Sequence, residues 1–379
     1  MKFKNIVFVV NNPEYFVSHR LPIGLELIKQ GCVVHLIAPG ICPKQLIQYG
    51  FIYHNIKMSR KGKNLLNEFL IIWSLTKLFI RIKPDLIHLV TIKPYLYGGI
   101  AARIAGVHAV VSAVAGLGSL FSNKTYKLKI LRHMLYPIYR LAFNHNNQIT
   151  IFQNTNDRDT LLSWGVIDKA NCVIIRGAGL DLSEYPIKNE PIGIPVISFA
   201  GRLLLDKGVK EFVEASTLLK ARGIEADFWL IGSPDFGNDN TITHQQLNEW
   251  HNARIINYLG YRSDIAKLFS KSNIVCLPSY YGEGLPKVLI EAAASGRAVI
   301  TTDHPGCRDA IEPYKTGLLV PVKDALALAD AIQDLICNTD KRKYMGIAGR
   351  ALAEREFTIE KIVSEHIRIY SSLTNQVNQ

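Results

Sequence analysis

The chain has 379 residues, 48% of them hydrophobic, enough to bury two sizeable cores. Its six cysteines (Cys32, Cys42, Cys172, Cys276, Cys307, Cys337) stand singly in apolar context with no C-x-x-C pair, which excludes a disulfide frame and a zinc site and predicts reduced core residues of a cytosolic protein. The formal net charge is +12 and unevenly spread: residues 1–190 carry 23 Lys and Arg against 10 Asp and Glu, the remainder 21 against 22.

The opening apolar run, 5–10, is too short for a signal-peptide core or a membrane span. Further strand-like runs fall at 33–38, 51–56, 86–90, 109–114, 149–153 and 173–176, then at 196–200, 227–231, 255–259, 274–277, 298–302 and 317–320. They are continuously apolar rather than alternating, as parallel strands covered on both faces require, and helix-like segments separate them. The pattern predicts an α/β protein of two doubly wound domains in series, parted by a proline-bearing polar linker at 187–194.

In an α/β unit the loop after the first strand faces the ligand. Here it lacks G-x-G-x-x-G, which argues against a dinucleotide-binding dehydrogenase. Ser18, His19 and Arg20 are expected to open the next helix, either meeting an anionic or hydroxylated ligand or forming an ordinary cap with a solvated Arg. The stretch 57–83 is apolar, contains FLIIW, and is interrupted by Lys77 and Arg81, so it lies on a membrane or packs internally rather than spanning. Next comes DLIHLVTIKPYLYGGIAARIAG (85–106), a strand, a loop and a helix, with His88 near the strand's end and Lys93 in the loop. A further strand leads into a glycine-rich loop containing Gly116.

No acidic residue occurs between Asp85 and Asp157, an interval holding Lys93, Arg103, Lys124, Lys127, Lys129, Arg132 and Arg140. Within it, 120–143 interleaves cations with Phe121, Tyr126, Leu128 and other apolar residues, which suits an anionic membrane surface; core-facing helices with basic outer faces are the plainer alternative. Nucleic acid would also answer to the charge, but no helix-turn-helix, zinc or RNP-like signature is present in the sequence. Asp157-Arg158-Asp159 has the D-x-D form of a metal motif, yet it opens a helix where Asn156 or Asp157 caps naturally, and capping is the expectation.

In the second half, FAGRLLLDKG sets Arg202 and Lys207 across one loop, a fork of donors and a point charge able to hold one diphosphate. Then SNIVCLPSYYGEGLPKVLIEAAASG (272–296) runs from a strand through a glycine-bearing loop to a helix expected to begin at Pro286, an arrangement that favours anions. Glu283 in the loop and Glu291 about 8 Å along the helix frame it, one able to hold a sugar hydroxyl and the other a ribose.

The flanking EG-P-VLIEA-A-G pattern and the GR…KG pair resemble the retaining glycosyltransferases of GT-B fold, with two Rossmann-like domains and an interdomain cleft. The resemblance implies domains at 1–187 and 188–356 and a last segment, 357–379, crossing back to the first. It implies that Glu283 contacts the transferred sugar, Glu291 the ribose, Arg202, Lys207 and the loop at Gly284 and Leu285 the diphosphate, and Tyr261 and Arg262 the nucleobase. On the acceptor side it implies Ser18, His19, Lys93 and Gly116, with Lys93 either neutralising a phosphate or merely solvated. Many relatives carry a histidine just before the first glycine of that loop; this chain has Ala115, so that role is not carried over. SHRLPI, IKPYLYGGIAAR and GLGSLF look like bacterial enzymes that extend polyprenyl-diphosphate-linked saccharides for O-antigen or capsule. The resulting expectation is α-retaining transfer of an N-acetylhexosamine such as GalNAc, or a hexose, from a UDP-sugar, without an obligatory metal or cofactor and without nucleic acid, at the inner face of the cytoplasmic membrane. A sugar-nucleotide epimerase and a non-catalytic membrane-surface protein are the alternatives.

Overall fold

The computed structural model describes residues 3–58, 65–122 and 126–375 and divides them into two compact units. Residues 59–64 and 123–125, with Lys61 and Lys124 of the basic stretches, lie outside the described residues.

Numbered in chain order, the first unit contains β1 (Asn5–Val9), α1 (Pro13–His19), α2 (Leu21–Lys29), β2 (Val33–Ala38), α3 (Lys44–Gln48), β3 (Ile52–Asn55), α4 (Leu65–Ile82), β4 (Leu86–Val90), α5 (Gly99–Ile104), β5 (Ala109–Val114), α6 (Ser119–Ser122), α7 (Tyr126–Phe143), β6 (Gln148–Phe152), α8 (Thr155–Ser163) and β7 (Cys172–Ile174). The last helix, α15 (Ile359–Asn375), completes it. All strands pair in parallel in the order β3-β2-β1-β4-β5-β6-β7. One apolar core lies on each side of the sheet: α4, α5 and α7 close one, α1, α2 and α15 the other. The second core has a polar centre. His88, in mid-strand, shares a 2.5 Å hydrogen bond with the Tyr370 hydroxyl and stacks on His366.

The second unit contains β8 (Val196–Ala200), α9 (Val209–Ala221), β9 (Asp227–Ile231), α10 (His244–Asn252), β10 (Asn257–Gly260), α11 (Ile265–Phe269), β11 (Ile274–Leu277), α12 (Lys287–Ala294), β12 (Ala298–Thr302), β13 (Gly317–Val320), α13 (Ala325–Cys337) and α14 (Thr339–Glu356). Its sheet is parallel, in the order β10-β9-β8-β11-β12-β13. Both sheets are doubly wound: strands are added to one side of β1 or β8 and then, after a reversal, to the other.

Four expectations shift. The run 255–259 begins its strand at Asn257, because the Ile255 amide donates to the Trp250 carbonyl and closes α10 instead of pairing with β9. The units part between Gly179 and Leu180 and again between Thr358 and Ile359, not at 187/188 and 356/357. The supposed linker is bound to the second unit: Arg297 donates to the Lys188 carbonyl, Asn273 to the Pro191 carbonyl, and Arg342 pairs with Glu190 at 2.9 Å with both side chains under a tenth exposed. Of the cysteines, Cys32, Cys276 and Cys307 are buried, but Cys337 ends α13 in solvent.

Candidate active site

In a doubly wound sheet, ligands gather beyond the carboxyl ends of the strands where the order reverses. In the second unit that point lies between β8 and β11, whose following loops carry Arg202, Lys207 and Glu283. Glycine lets the loops meet. Gly208 has φ +80°, and a Cβ there would lie 2.2 Å from the Pro278 carbonyl oxygen; one at Gly306 would lie 2.6 Å from the carbonyls of Glu283 and Gly284. The Tyr280 amide donates to the Asp206 carbonyl at 2.9 Å, and the Thr302 hydroxyl donates to the Ser279 carbonyl.

Lys207 forms a 2.5 Å ion pair with Glu283, the two side chains 10% and 15% exposed, and the Ser279 hydroxyl donates to the other Glu283 oxygen at 3.0 Å. Arg202 is the more open cation and pairs with Asp235 at 3.0 Å. Tyr281 lies beneath both, its ring centre 5.5 Å from the Arg202 guanidinium and 5.4 Å from the Lys207 ammonium. The structure therefore joins Arg202, Lys207 and Glu283 in one cluster and adds Asp235 and Tyr281, which sequence reasoning missed.

Gly284 and the buried Leu285 lead into α12, which starts at Lys287; Pro286 is its extended N-cap rather than its first helical residue. Glu291, on the fifth residue of α12, accepts from the Tyr185 hydroxyl at 3.1 Å and faces Lys287 at 3.8 Å. Burial raises its carboxyl pKa, and Lys287 opposes the shift. Tyr261 and Arg262 follow the edge strand β10, two strands from β8. Tyr261 is exposed, while Arg262 is forked onto Asp264 at 2.8 and 2.6 Å.

The first unit reverses strand order between β1 and β4; of the acceptor candidates, Lys93 follows β4, Gly116 follows β5, and Ser18 and His19 lie at the carboxyl end of the helix after β1. Ser18 and His19 close α1 instead of opening the next helix, because Asn12 caps α1 and makes it a separate helix. The Ser18 hydroxyl lies 2.6 Å from His19 Nδ1, and His19 stacks on Tyr15 at 4.1 Å. Arg20 is not solvated: it is 1% exposed and donates to the His19 carbonyl. Lys93 is no free loop cation either, since it pairs with Glu68 of α4 at 2.8 Å, both side chains largely covered. Gly116 follows β5 with φ +110°, a conformation L side chains rarely adopt.

One further signal could not be read from residue types. Thr91, just past β4, has φ +76°, and its buried Oγ1 has no partner among the described residues. A β-branched residue so placed marks strain of the kind found at functional sites. At the D-x-D triplet, Asn154 caps α8, accepting from the Asp157 amide and donating to its carboxylate; Asp157 lies inside the first turn. In α7, Tyr126 is exposed; Phe121, in α6, is half-buried, its ring packed edge-on against Tyr139 and Trp164.

Comparison with known proteins gives two family matches: "Glycosyl transferases group 1" over residues 185–352 and "Glycosyl transferase 4-like" over residues 5–154. The chain is 30% identical over 329 residues to the N,N'-diacetylbacillosaminyl-diphospho-undecaprenol alpha-1,3-N-acetylgalactosaminyltransferase of Campylobacter jejuni, covering 82% of this chain and 84% of that one. It is 25% identical over 291 residues to the Escherichia coli UDP-Gal:alpha-D-GlcNAc-diphosphoundecaprenol alpha-1,3-galactosyltransferase, covering 73% and 71%. Among solved structures, Anabaena Alr3699/HepE in complex with UDP and glucose superposes with a TM-score of 0.78 at 18% identity, covering 97% of this chain and all of that one. That likeness is one of fold.

Proposed function

The chain belongs to the group 1 glycosyltransferases, and from that membership we propose that it transfers a sugar, with retention of configuration, from a UDP-sugar to a polyprenyl-diphosphate-linked saccharide in bacterial surface-polysaccharide assembly. The observation that carries the reading is the meeting of Arg202, Lys207 and Glu283 at the switch point of the second sheet. The relatives named for N-acetylgalactosaminyl and galactosyl transfer to undecaprenyl-linked acceptors support an N-acetylhexosamine such as GalNAc, or a hexose, as the donor sugar.

In this reading the UDP diphosphate draws Lys207 from Glu283, and the released carboxylate takes the hydroxyls of the sugar. As the glycosidic bond breaks, negative charge grows on the diphosphate oxygen. Arg202, Lys207 and the amino end of α12, whose N-cap Pro286 brings no side-chain acceptor, stabilise that charge without reorganising. In this reading Glu283 is taken up by the sugar hydroxyls and by the Ser279 hydroxyl rather than presented as a nucleophile, which favours same-face displacement over a covalent intermediate. Glu291 holds the ribose; Tyr261 and Arg262 edge the base. Ser18, His19, Lys93 and Gly116 receive the acceptor.

No helix of the described residues is long and apolar enough to cross a membrane. The first unit instead supports contact with an anionic membrane surface. On α4, Leu66, Phe69, Leu70, Trp73 and Ile80 form one outward stripe, each more than half exposed, and α7 adds Tyr126 and Met134 beside Lys127 and Lys129. The deciding experiment screens UDP-sugars for UDP release with and without a polyprenyl-diphosphate-linked acceptor. Acceptor-dependent release with an α-linked product is expected. Donor isomerisation without acceptor, or no turnover with any UDP-sugar, would overturn the assignment.

A further inference from the structure

The excursion between β9 and α10 is built onto the loop that carries Arg202. The Leu203 amide donates to the Ser233 carbonyl at 3.0 Å, the Leu205 amide to Asn240 at 2.8 Å, and the Ile242 amide back to Leu203 at 2.8 Å. At the root of the excursion a Cβ on Gly232 would sit 1.8 Å from the Gly201 carbonyl oxygen, so the two backbones are in contact there. Asp235 lies on this stitched segment. Its amide donates to Thr241 Oγ1 at 2.8 Å, and that hydroxyl reaches the Leu203 carbonyl at 3.4 Å. Its carboxylate accepts from Arg202 at 3.0 Å, with the Asp235 side chain 17% exposed and Arg202 45%.

The covered, backbone-anchored carboxylate is thus the fixed partner, and the open guanidinium is the group being placed. We propose that Asp235 is a positioning residue of the donor site: it grips one terminal nitrogen of Arg202 and, with the Tyr281 ring alongside, aims the remaining N–H groups at the incoming diphosphate. A guanidinium carries five N–H donors in a rigid fork, so it can hold a protein carboxylate on one edge and a ligand anion on another. A lysine here would offer its three donors from a single nitrogen, with no rigid fork to fix the direction of the second anion. The simplest electrostatic expectation is the reverse, that an acid beside an anion site repels the ligand and that its removal tightens binding. The geometry favours positioning because the contact leaves Nε and the second terminal nitrogen outside the pair.

The inference rests on the reading of Arg202 as a ligand of the donor diphosphate. Calorimetric titration of UDP into wild type, Asp235→Ala, Asp235→Asn, Arg202→Ala and the Arg202→Ala/Asp235→Ala double variant tests both steps separately. Asp235→Ala is expected to weaken UDP at least about fivefold, Asp235→Asn by less than about twofold because the amide oxygen still accepts, and the Asp235 change in the Arg202→Ala background by less than about twofold. Equal or tighter binding by Asp235→Ala would make the residue a competitor and overturn the proposal. The same loss in the Arg202→Ala background would make it a scaffold for the loop, and would also overturn it. If Arg202→Ala alone binds UDP as wild type does, the donor-site reading fails and takes this inference with it. Should the Ala variant fold poorly, Asp235→Asn decides: tighter UDP binding once the charge is removed would make the residue a competitor and overturn the proposal.

Discussion

Replacing Glu283 should separate donor binding from transfer. Glu283 holds Lys207 at 2.5 Å in a site where both side chains are mostly covered. At an effective dielectric near 20 the attraction is on the order of 6–7 kcal/mol, set against a desolvation cost of several kcal/mol for each ion. A diphosphate that takes Lys207 must first overcome the remainder. Glu283→Ala removes that competition, so UDP affinity should stay level or rise by up to about tenfold, about 1.4 kcal/mol. Turnover should nevertheless fall by about two orders of magnitude, the scale of losing one preorganised contact to the reacting group. The variant also leaves Lys207 buried without its partner, and a loss of about 3 kcal/mol of folding stability is expected. Glu291→Ala should behave oppositely, weakening UDP roughly 10- to 100-fold by loss of a charged hydrogen-bond partner. Calorimetry with UDP and turnover with a radiolabelled UDP-sugar read the two quantities. Equal loss of UDP affinity in both variants would refute this division of roles.

Arg202→Ala and Lys207→Ala should each lower turnover by at least about tenfold, since a charge-assisted contact contributes about 1.5–3 kcal/mol; near wild-type rates in both folded variants would dismiss the diphosphate clamp. Reversing the charge of Lys127, Lys129 and Arg132, and separately replacing Phe69 and Trp73 with serine, should each reduce co-sedimentation with phosphatidylglycerol vesicles at low salt, with attraction of roughly 1 kcal/mol per cation screened as salt rises. Pelleting equal to wild type in both variants would count against membrane contact. Stability should also fall in acid. Burial holds His88 well below its usual range and pushes His366 down to about 3. The unfolded chain then takes up protons first, and stability present above pH 6.5 is lost towards pH 3, by up to about 1.4 kcal/mol per pH unit for each histidine. Urea midpoints at pH 7, 5.5 and 4.5 check this, with His366→Gln expected to show a shallower slope; identical slopes would rule out the buried histidine as the cause.

The strands were legible because a parallel strand covered on both faces must be continuously apolar, and such runs read the same in sequence as in space. The meeting of Arg202, Lys207 and Glu283 was legible for a related reason: they lie within seven residues of the ends of β8 and β11, where a doubly wound sheet gathers its ligands. What stayed hidden depends on tertiary placement. Asp235 sits in a polar excursion with no periodicity, and bonds between distant stretches of chain, those to residues 203–205 among them, bring it to Arg202. Arg20 looked like a solvated cap residue because nothing local places α15 over it; in the fold it is buried, and the packing of α15 also joins Tyr370 to His88. The segment 187–194 read as a linker from its proline and polar residues, yet its carbonyls and Glu190 are bound by Arg297, Asn273 and Arg342 from distant positions.

The placement of charge separates two tasks. Each cation of the clamp already faces an acid, Lys207 with Glu283 and Arg202 with Asp235, and residues 191–379 carry 21 basic against 22 acidic side chains. A site neutralised in this way gains little from an anion that offers charge alone, since the ligand must compete with two carboxylates. In the proposed reading it favours one that supplies a diphosphate for the cations and, on the same molecule, hydroxyls for the released Glu283. The excess of positive charge lies in the first 190 residues, where seven Lys and Arg stand between Asp85 and Asp157 without an acid among them. Net positive charge of this kind, in excess even with Lys93 paired to Glu68, acts over about a Debye length and would attract an extended anionic surface with little regard to its chemical detail. On the proposed function, selectivity for the donor would rest on the paired charge of the second unit's loops, and attraction to an acceptor-bearing surface on the net positive charge of the first 190 residues.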